Sequence, residues 1–231
     1  MAAEVCVLID DADLAGKRLT QHLKNRNMPF QLRPASPSDV EDLVNIFFAA
    51  FKKDRVVSVT LPDVPTVRES RIEEFLRDSE DPSSHVMIVV DTDLPSEPIV
   101  ACAQFEAPVA EKKQAAGPLY PPGGDEELAE LFFTQLAERR AANMAGRRCW
   151  FLSLLVCHPD HEGRGAGSML IRYSLALADR EGADVYVEGS PAGAPVYKHF
   201  SLQEVGSMVL FEGKYVELLM LREASKIPKV P

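Results

Sequence analysis

Hydrophobic positions divide this chain into helical stripes and short buried runs. Val40, Leu43, Val44, Phe47, Phe48 and Phe51 recur three and four residues apart, as on one face of a helix. Ser36-Pro37-Ser38-Asp39 stands before that stripe. Ser38 is the expected cap, with Glu41 three residues on, so a helix is predicted over Ser38–Lys52. A second helix is predicted over Thr66–Arg77, carrying Val67, Ile72, Phe75 and Leu76. A third is predicted over Asp125–Asn143, with Leu128, Leu131, Phe132 and Leu136 on one face. A fourth runs from Met169 to Arg180, where Met169, Leu170, Tyr173, Leu177 and Ala178 keep the helical spacing. Near the start, Leu8, Leu14, Leu19 and Leu23 suit one apolar helix face, expected to pack on the core; a dimer contact and an arm are the alternatives. By contrast, Trp150–Val156 is a continuous apolar run and reads as a buried strand. Asp91–Pro98 reads as a hairpin connection and Ala107–Gly124 as a surface loop.

The junction between the apolar run and the fourth helix is Cys157–Ser168, CHPDHEGRGAGS. A strand ends, a loop with three glycines follows, and a helix begins. That arrangement exposes backbone N–H groups at a helix N-terminus, where the dipole also favours a phosphate-bearing ligand. The loop is not a Walker loop, because no Lys follows Gly167. Nor is it the dinucleotide fingerprint, because Gly163, Gly165 and Gly167 strictly alternate.

The 231 residues suit one domain with embellishments, and 46% hydrophobic residues allow a sizeable core. A net charge of −10 argues against nucleic-acid binding as the main activity, since phosphate contacts need clustered Lys and Arg. The acidity suits a basic or amine substrate, and equally suits solubility alone. Cys6, Cys102, Cys149 and Cys157 show no zinc spacing, and Cys102 and Cys157 are expected to be buried thiols. Val5–Ile9 is too short for a secretory signal, and no stretch approaches a membrane span, so a cytoplasmic protein without membrane partners is expected.

Glu162-Gly163-Arg164-Gly165-Ala166-Gly167 resembles the Gln/Arg-x-x-Gly-x-Gly/Ala loop of the GCN5-related N-acetyltransferases (GNAT), which binds the pyrophosphate of acetyl-CoA. The resemblance extends from about Phe30 to about Leu221. Phe30–Pro34 is similar to the family's first strand, His85–Asp91 and Ile99–Glu106 to its second and third, Leu152–His158 to its fourth and Val185–Glu188 to its fifth. Ser190-Pro-Ala-Gly-Ala-Pro-Val-Tyr197 is similar to the segment before the family's Tyr, and ADREGADVYVEGSPAGAPVYKHF resembles a fungal branch of uncharacterised members. Two departures stand out. Glu162 replaces Gln or Arg, which puts a carboxylate near a diphosphate unless it points away or pairs with Arg164. Ser201-Leu202 replaces Gly-Phe, which loses a glycine and predicts a different local turn.

The resemblance implies an α/β GNAT fold: a mixed, mostly antiparallel twisted sheet flanked by helices. It implies a domain over residues 30–223, with an N-terminal extension over 1–29, a helical insertion at about 107–147 between the third and fourth strands, and a tail over 224–231. The insertion is expected either to shape the acceptor site or merely to cover the sheet. The implied activity is transfer of acetyl from acetyl-CoA to an amine, most simply a small molecule, by direct attack in a ternary complex and without a metal. Cofactor-binding candidates are Leu155, Val156 and Cys157 for pantetheine, Gly163, Arg164, Gly165, Ala166, Gly167 and Ser168 for the pyrophosphate, and Ser190. Tyr197 is the candidate general acid, because a phenol is protonated at neutral pH and can donate to a leaving thiolate. Glu188 is the first candidate base, ahead of His158 and Glu106, with a water chain as a further possibility. Phe47, Phe48 and Phe51 are candidates for both the core and the acceptor pocket. A monomer or homodimer is expected. Other acyl-CoA chemistry on the same fold, or a non-catalytic CoA-binding module, are the alternatives.

Overall fold

The computed structural model describes residues 29–108 and 120–224. The expected N-terminal helix, nearly all of the tail and most of the 107–124 loop lie outside the described residues. The strands are β1 (Phe30–Pro34), β2 (Ser84–Asp91), β3 (Ile99–Glu106), β4 (Cys149–Cys157), β5 (Asp184–Gly189), β6 (Gln203–Leu210) and β7 (Tyr215–Arg222). The helices are α1 (Val40–Phe51), α2 (Val57–Thr60), α3 (Pro65–Glu80), α4 (Glu126–Met144), α5 (Ala166–Glu181) and α6 (Ala194–His199). No described helix is long and apolar enough to cross a membrane.

The strands form one sheet in the order β1-β2-β3-β4-β5-β7-β6. Every neighbouring pair is antiparallel except β4 with β5. That exception follows from α5, which supplies the long crossover that a parallel connection requires. The sheet is therefore the mixed, mostly antiparallel one expected.

Both faces are covered, which is why β2 and β3 are buried almost continuously rather than alternately. On one face, Met169, Leu170, Tyr173 and Leu177 of α5 pack on Met87, Val89, Ala103, Trp150 and Val187. On the other, α1 and α3 cover Val86, Ile88, Cys102 and Val156 through Val44, Phe47 and Phe75. Further along that second face, Phe132 and Leu136 of α4 pack on Phe151, Tyr186, Tyr215 and Leu219. Leu131, expected on the same helix face, is instead exposed. Ala129, Phe132 and Leu136 make the buried stripe, and Leu131 sits one residue, or about 100°, off it.

β4 contains an irregularity that the sequence does not advertise. Gln104 pairs with Leu154 and Phe105 with Leu152, so Ser153 has no partner on β3. This is a β-bulge, which bends its strand and raises the local twist. Side-chain parity changes across it: Phe151 shares a face with Leu154 and Val156, while Leu152 shares the other with Leu155 and Cys157. The pairing of β4 with β5 begins at Cys149↔Asp184 and ends at Leu152↔Val187, immediately before the bulge. Beyond it the two strands part into a fork.

Two local devices place the helices around this fork. The entry to α1 is set by Ser36 and Asp39, not by Ser38 and Glu41 as expected. Asp39 accepts from the Ser36 backbone N–H at 2.7 Å, and both its oxygens receive Arg33, at 2.7 and 2.8 Å. The Pro37–Asp39 turn thus precedes α1 as a short 3-10 segment. At the far side, α6 ends with Leu202 N–H donating to Tyr197 O at 3.2 Å and Ser201 N–H to Lys198 O at 3.1 Å. That is the Schellman pattern, whose central residue is normally glycine. Ser201 occupies it with φ 65°. The turn expected to differ keeps the left-handed backbone, with a serine in the glycine position.

Two stability predictions follow from these devices. Arg33 holds the Asp39 carboxyl well below the usual carboxylate range. Its contribution is therefore full above the ordinary Asp value of about 3.9 and is lost as pH falls towards the depressed one. Asp39→Asn should cost about 1–3 kcal/mol at neutral pH, and the gap in Tm should narrow as the solution is acidified below about pH 4. Ser201→Gly should raise stability by about 1 kcal/mol, read by denaturant unfolding, because it relieves a positive φ.

Candidate functional site

A cleft of about 2410 Å³ crosses the fork, bounded by α1, α3 and α4 on one side and by the 162–168 loop and α6 on the other. Leu155, Val156, Cys157, Gly163, Gly165, Ala166, Gly167, Ser168, Glu188, Ser190 and Tyr197 all line it. Eleven of the twelve residues singled out from the sequence are thereby brought to one space; Arg164 is the exception.

At the loop end, Gly163 and Gly165 have φ 73° and 99°, and a Cβ at either would meet nothing within 4 Å. The glycines are thus required by backbone conformation, and the space beside them is open. The helix begins at Ala166, three residues before the expected Met169. The first N–H of α5 to reach a carbonyl is that of Met169, to Gly165 O at 3.0 Å. The amides of Ala166, Gly167 and Ser168 form the electropositive mouth of the helix, a fit for a diphosphate. The Gly167 N–H faces the Cys157 thiol, which burial pushes up to about 11. Arg164 turns elsewhere. Its guanidinium lies 2.6 Å from Oδ2 of the buried Asp91 and covers the Phe30 ring at 5.1 Å. It also contacts His161 Nδ1 at 3.0 Å, so Glu162 is not its partner.

In the fork, the backbone of Leu154–Cys157 keeps β3 on one side but has no β5 partner on the other. Unpaired strand edges of this kind accept an extended ligand as an added strand. Tyr197 sits beside this edge on the α5 face, buried in the same cluster as Leu155 and Cys157. Its ring lies against Gly189 and Gly193, where an added Cβ would come within 3.1 and 3.2 Å of ring carbons. Burial pushes the phenol well above its ordinary value, and the charge of Glu217 pushes it further. Ser190 closes the turn into α6, its Oγ accepting from Gly193 N–H at 3.2 Å.

The opposite wall is acidic. Glu188, at the end of β5, is 3.5 Å from Arg140 Nε of α4, and that guanidinium also covers the Phe151 ring at 4.2 Å. Further in, the Tyr215 hydroxyl lies 2.9 Å from Glu217 Oε2 and 3.2 Å from Asp54 Oδ2. Asp54 Oδ1 is fixed by Val56 and Val57 N–H, each at 2.9 Å. Burial lifts the Glu217 carboxyl to about 7, with Asp54 and Glu188 adding to the rise and the Tyr215 bond opposing it. Glu106 also borders the cleft, whereas His158 caps the Pro159–His161 turn instead, accepting from Asp160 N–H at 3.3 Å.

Sequence reasoning missed Asp54, Tyr215 and Glu217. The available signal was the single acidic residue inside the apolar strand Tyr215–Arg222, a placement that asks for a buried partner. The insertion helix reaches this wall through Arg140, Phe132 and Leu136. Among the described residues, no three His, Cys, Asp or Glu side chains are grouped to hold a metal ion.

With this geometry in view, likenesses to known proteins become informative. An "Acetyltransferase" of Stachybotrys chartarum is 26% identical over 193 residues, covering 78% of this chain and 84% of the relative. A solved histone acetyltransferase HPA2 and related acetyltransferase from Corynebacterium glutamicum superposes with a TM-score of 0.58 at 18% identity, covering 88% of this chain and 100% of that one. A mosquito arylalkylamine N-acetyltransferase-like protein gives 0.61 at 11% identity, covering 84% and 99%. The model of the acetyltransferase (GNAT) family matches residues 60–200, well over half the chain. The chain belongs to the GNAT acetyltransferase family.

Proposed function

We propose that this protein transfers acetyl from acetyl-CoA to the amine of a small molecule, by direct attack within a ternary complex. The observation that carries this reading is the parting of β4 from β5 after Leu152↔Val187, beside a helix mouth built on Gly163 and Gly165. Pantetheine amides then pair with the free edge at Leu155, Val156 and Cys157, and the diphosphate lies on the amides of Gly163–Ser168. Glu162 bears on this cradle only as a nearby charge, because the donors are main-chain groups. Ser190 flanks the fork on the α6 side.

Direct attack is favoured over an acyl-enzyme by the state of the Cys157 thiol at the end of β4. Cys157 is pushed up to about 11 and is therefore a neutral thiol at physiological pH, a poor nucleophile. Tyr197 is protonated across the same range and stands on the sulfur side, suited to protonate the leaving thiolate. The amine's proton leaves towards the acidic wall, where Glu188 stands with Arg140 against it.

Phe51, Phe133 and Tyr120 border the acceptor end of the cleft, and the Tyr120 and Phe133 rings stack at 5.5 Å. Such a wall suits an amine with an apolar or aromatic body, in keeping with the likeness to an arylalkylamine N-acetyltransferase-like fold.

Calorimetry with coenzyme A should show binding. Incubation of acetyl-CoA with 2-phenylethylamine, tryptamine or spermidine should yield an acetylated amine by mass spectrometry. CoA release without product from every amine would count against the reading. Tyr197→Phe should lower kcat by about 100-fold or more with acetyl-CoA affinity retained; an unchanged kcat would remove Tyr197 from the mechanism.

A further inference from the structure

Glu217 is about 95% buried, with 5% of its surface exposed, yet it borders the cleft at the fork. Its position follows from register. Gly189, the last residue of β5, pairs with Leu218. Glu217 is the next residue along β7, level with the gap where β5 has ended. It shares the α4 face with Tyr215 and Leu219, whereas Tyr197 belongs to the α5 face. The two side chains therefore flank the fork from opposite faces with no strand between them. Both side chains line the same cleft, and after burial the Glu217 charge also pushes the Tyr197 phenol up.

The hydrogen bonding around Glu217 is short of one proton. Tyr215 carries a single hydroxyl hydrogen, yet its oxygen lies within hydrogen-bond distance of both Glu217 and Asp54. One contact is complete only when a carboxyl also carries a proton. Asp54 Oδ1 is already engaged by two backbone N–H groups, which leaves Oδ2 as its nearer contact with Tyr215. Glu188 faces the cluster from β5 and is held by the Arg140 guanidinium. From β6, the cross-strand neighbour of Glu217 is the apolar Met208. Glu217 is left as the group able to take up and release a proton at the mouth of the fork.

We propose that Glu217, positioned by Tyr215 and Asp54, is the proton acceptor for the incoming ammonium. This rests on the transferase reading above and assigns a residue that reading leaves open. The step balances as follows. The ammonium R–NH3+ transfers one proton to the Glu217 carboxylate and becomes R–NH2. Its nitrogen lone pair forms the C–N bond to the thioester carbonyl carbon. The C–S bond then breaks, the thiolate takes the Tyr197 proton, and the nitrogen's surplus proton restores Tyr197. Glu217 returns its proton to water, so one proton is released per amide formed. A carboxyl lifted to about 7 exchanges protons readily at neutral pH, as a base for this step should.

The test is the pH dependence of kcat/KM with whichever of 2-phenylethylamine, tryptamine and spermidine is turned over fastest. In the wild type, activity should rise with pH through a midpoint near 7. Glu217→Gln should lower kcat/KM at neutral pH by about 100-fold and move the rise up to the amine's own ionisation, while coenzyme A binding by calorimetry is unchanged. Tyr215→Phe removes the hydrogen bond that favours the Glu217 anion, so it should shift the wild-type midpoint upward. This second variant decides the matter if Glu217→Gln does not fold. A wild-type profile in Glu217→Gln, or an unmoved midpoint in Tyr215→Phe, with coenzyme A binding intact, overturns the role of Glu217 and leaves the transferase reading standing. No acetylated amine from the wild type, or no coenzyme A binding, overturns that reading and this one with it.

Discussion

One unpaired residue, Ser153, governs the architecture of the site. A parallel β4–β5 pair of full length would satisfy its own backbone groups and leave nothing to offer a ligand. The bulge ends that pairing at Leu152↔Val187 and keeps the remaining β4 residues on β3 alone. Unsatisfied backbone groups in a partly buried cleft are costly unless water or a ligand meets them. The fork is therefore both a structural liability and a preformed edge. The Ser153 hydroxyl donates to Gln104 O of β3 at 3.3 Å. The parity change across the bulge also allows Leu154 and Val156 to face α1 while Leu155 and Cys157 face α5. The strand beyond the bulge thus has packed side chains on both faces although one backbone edge is free.

The helices around the fork divide the electrostatics. At one end, the positive mouth of α5 and the positive-φ glycines offer main-chain donors. Across the fork, Asp54, Glu188 and Glu217 bring three carboxylates to the opposite wall of the cleft, with Arg140 and the Tyr215 hydroxyl among them. Burial raises the Glu217 carboxyl, and the neighbouring charges of Asp54 and Glu188 add to the rise. The insertion helix contributes to this balance through Arg140, whose guanidinium is held in place by the Phe151 ring. Under the proposed transfer, the proton donor for sulfur and the proton acceptor for nitrogen would come from opposite faces of the sheet.

Much of this was legible in the chain. The stripe from Val40 to Phe51, the apolar run of β4 and the alternating Gly163, Gly165 and Gly167 carry their physics locally, since helical spacing, continuous burial and positive φ leave marks on neighbouring residues. The bulge left none, because a serine inside a strand looks the same whether or not it has a partner. Arg164 was read as a phosphate ligand, but its nearest charge is Asp91, buried 73 residues earlier in the chain and invisible to local reasoning. Asp54 and Glu217 are likewise brought together only by the sheet order β5-β7-β6 and by the turn after α1. At Ser38 and Leu131 the error was of one or two residues, where caps and helix faces are hardest to place.

The central claim is that the free edge of β4 and the mouth of α5 together receive one extended ligand. Amide hydrogen exchange resolved by residue, with and without coenzyme A, measures this directly. The account predicts new protection at Leu154–Cys157 and at Gly163–Ser168, with little change in the already paired Cys149–Leu152. Protection confined to other strands, or equal exchange in both states at these two segments, would contradict it.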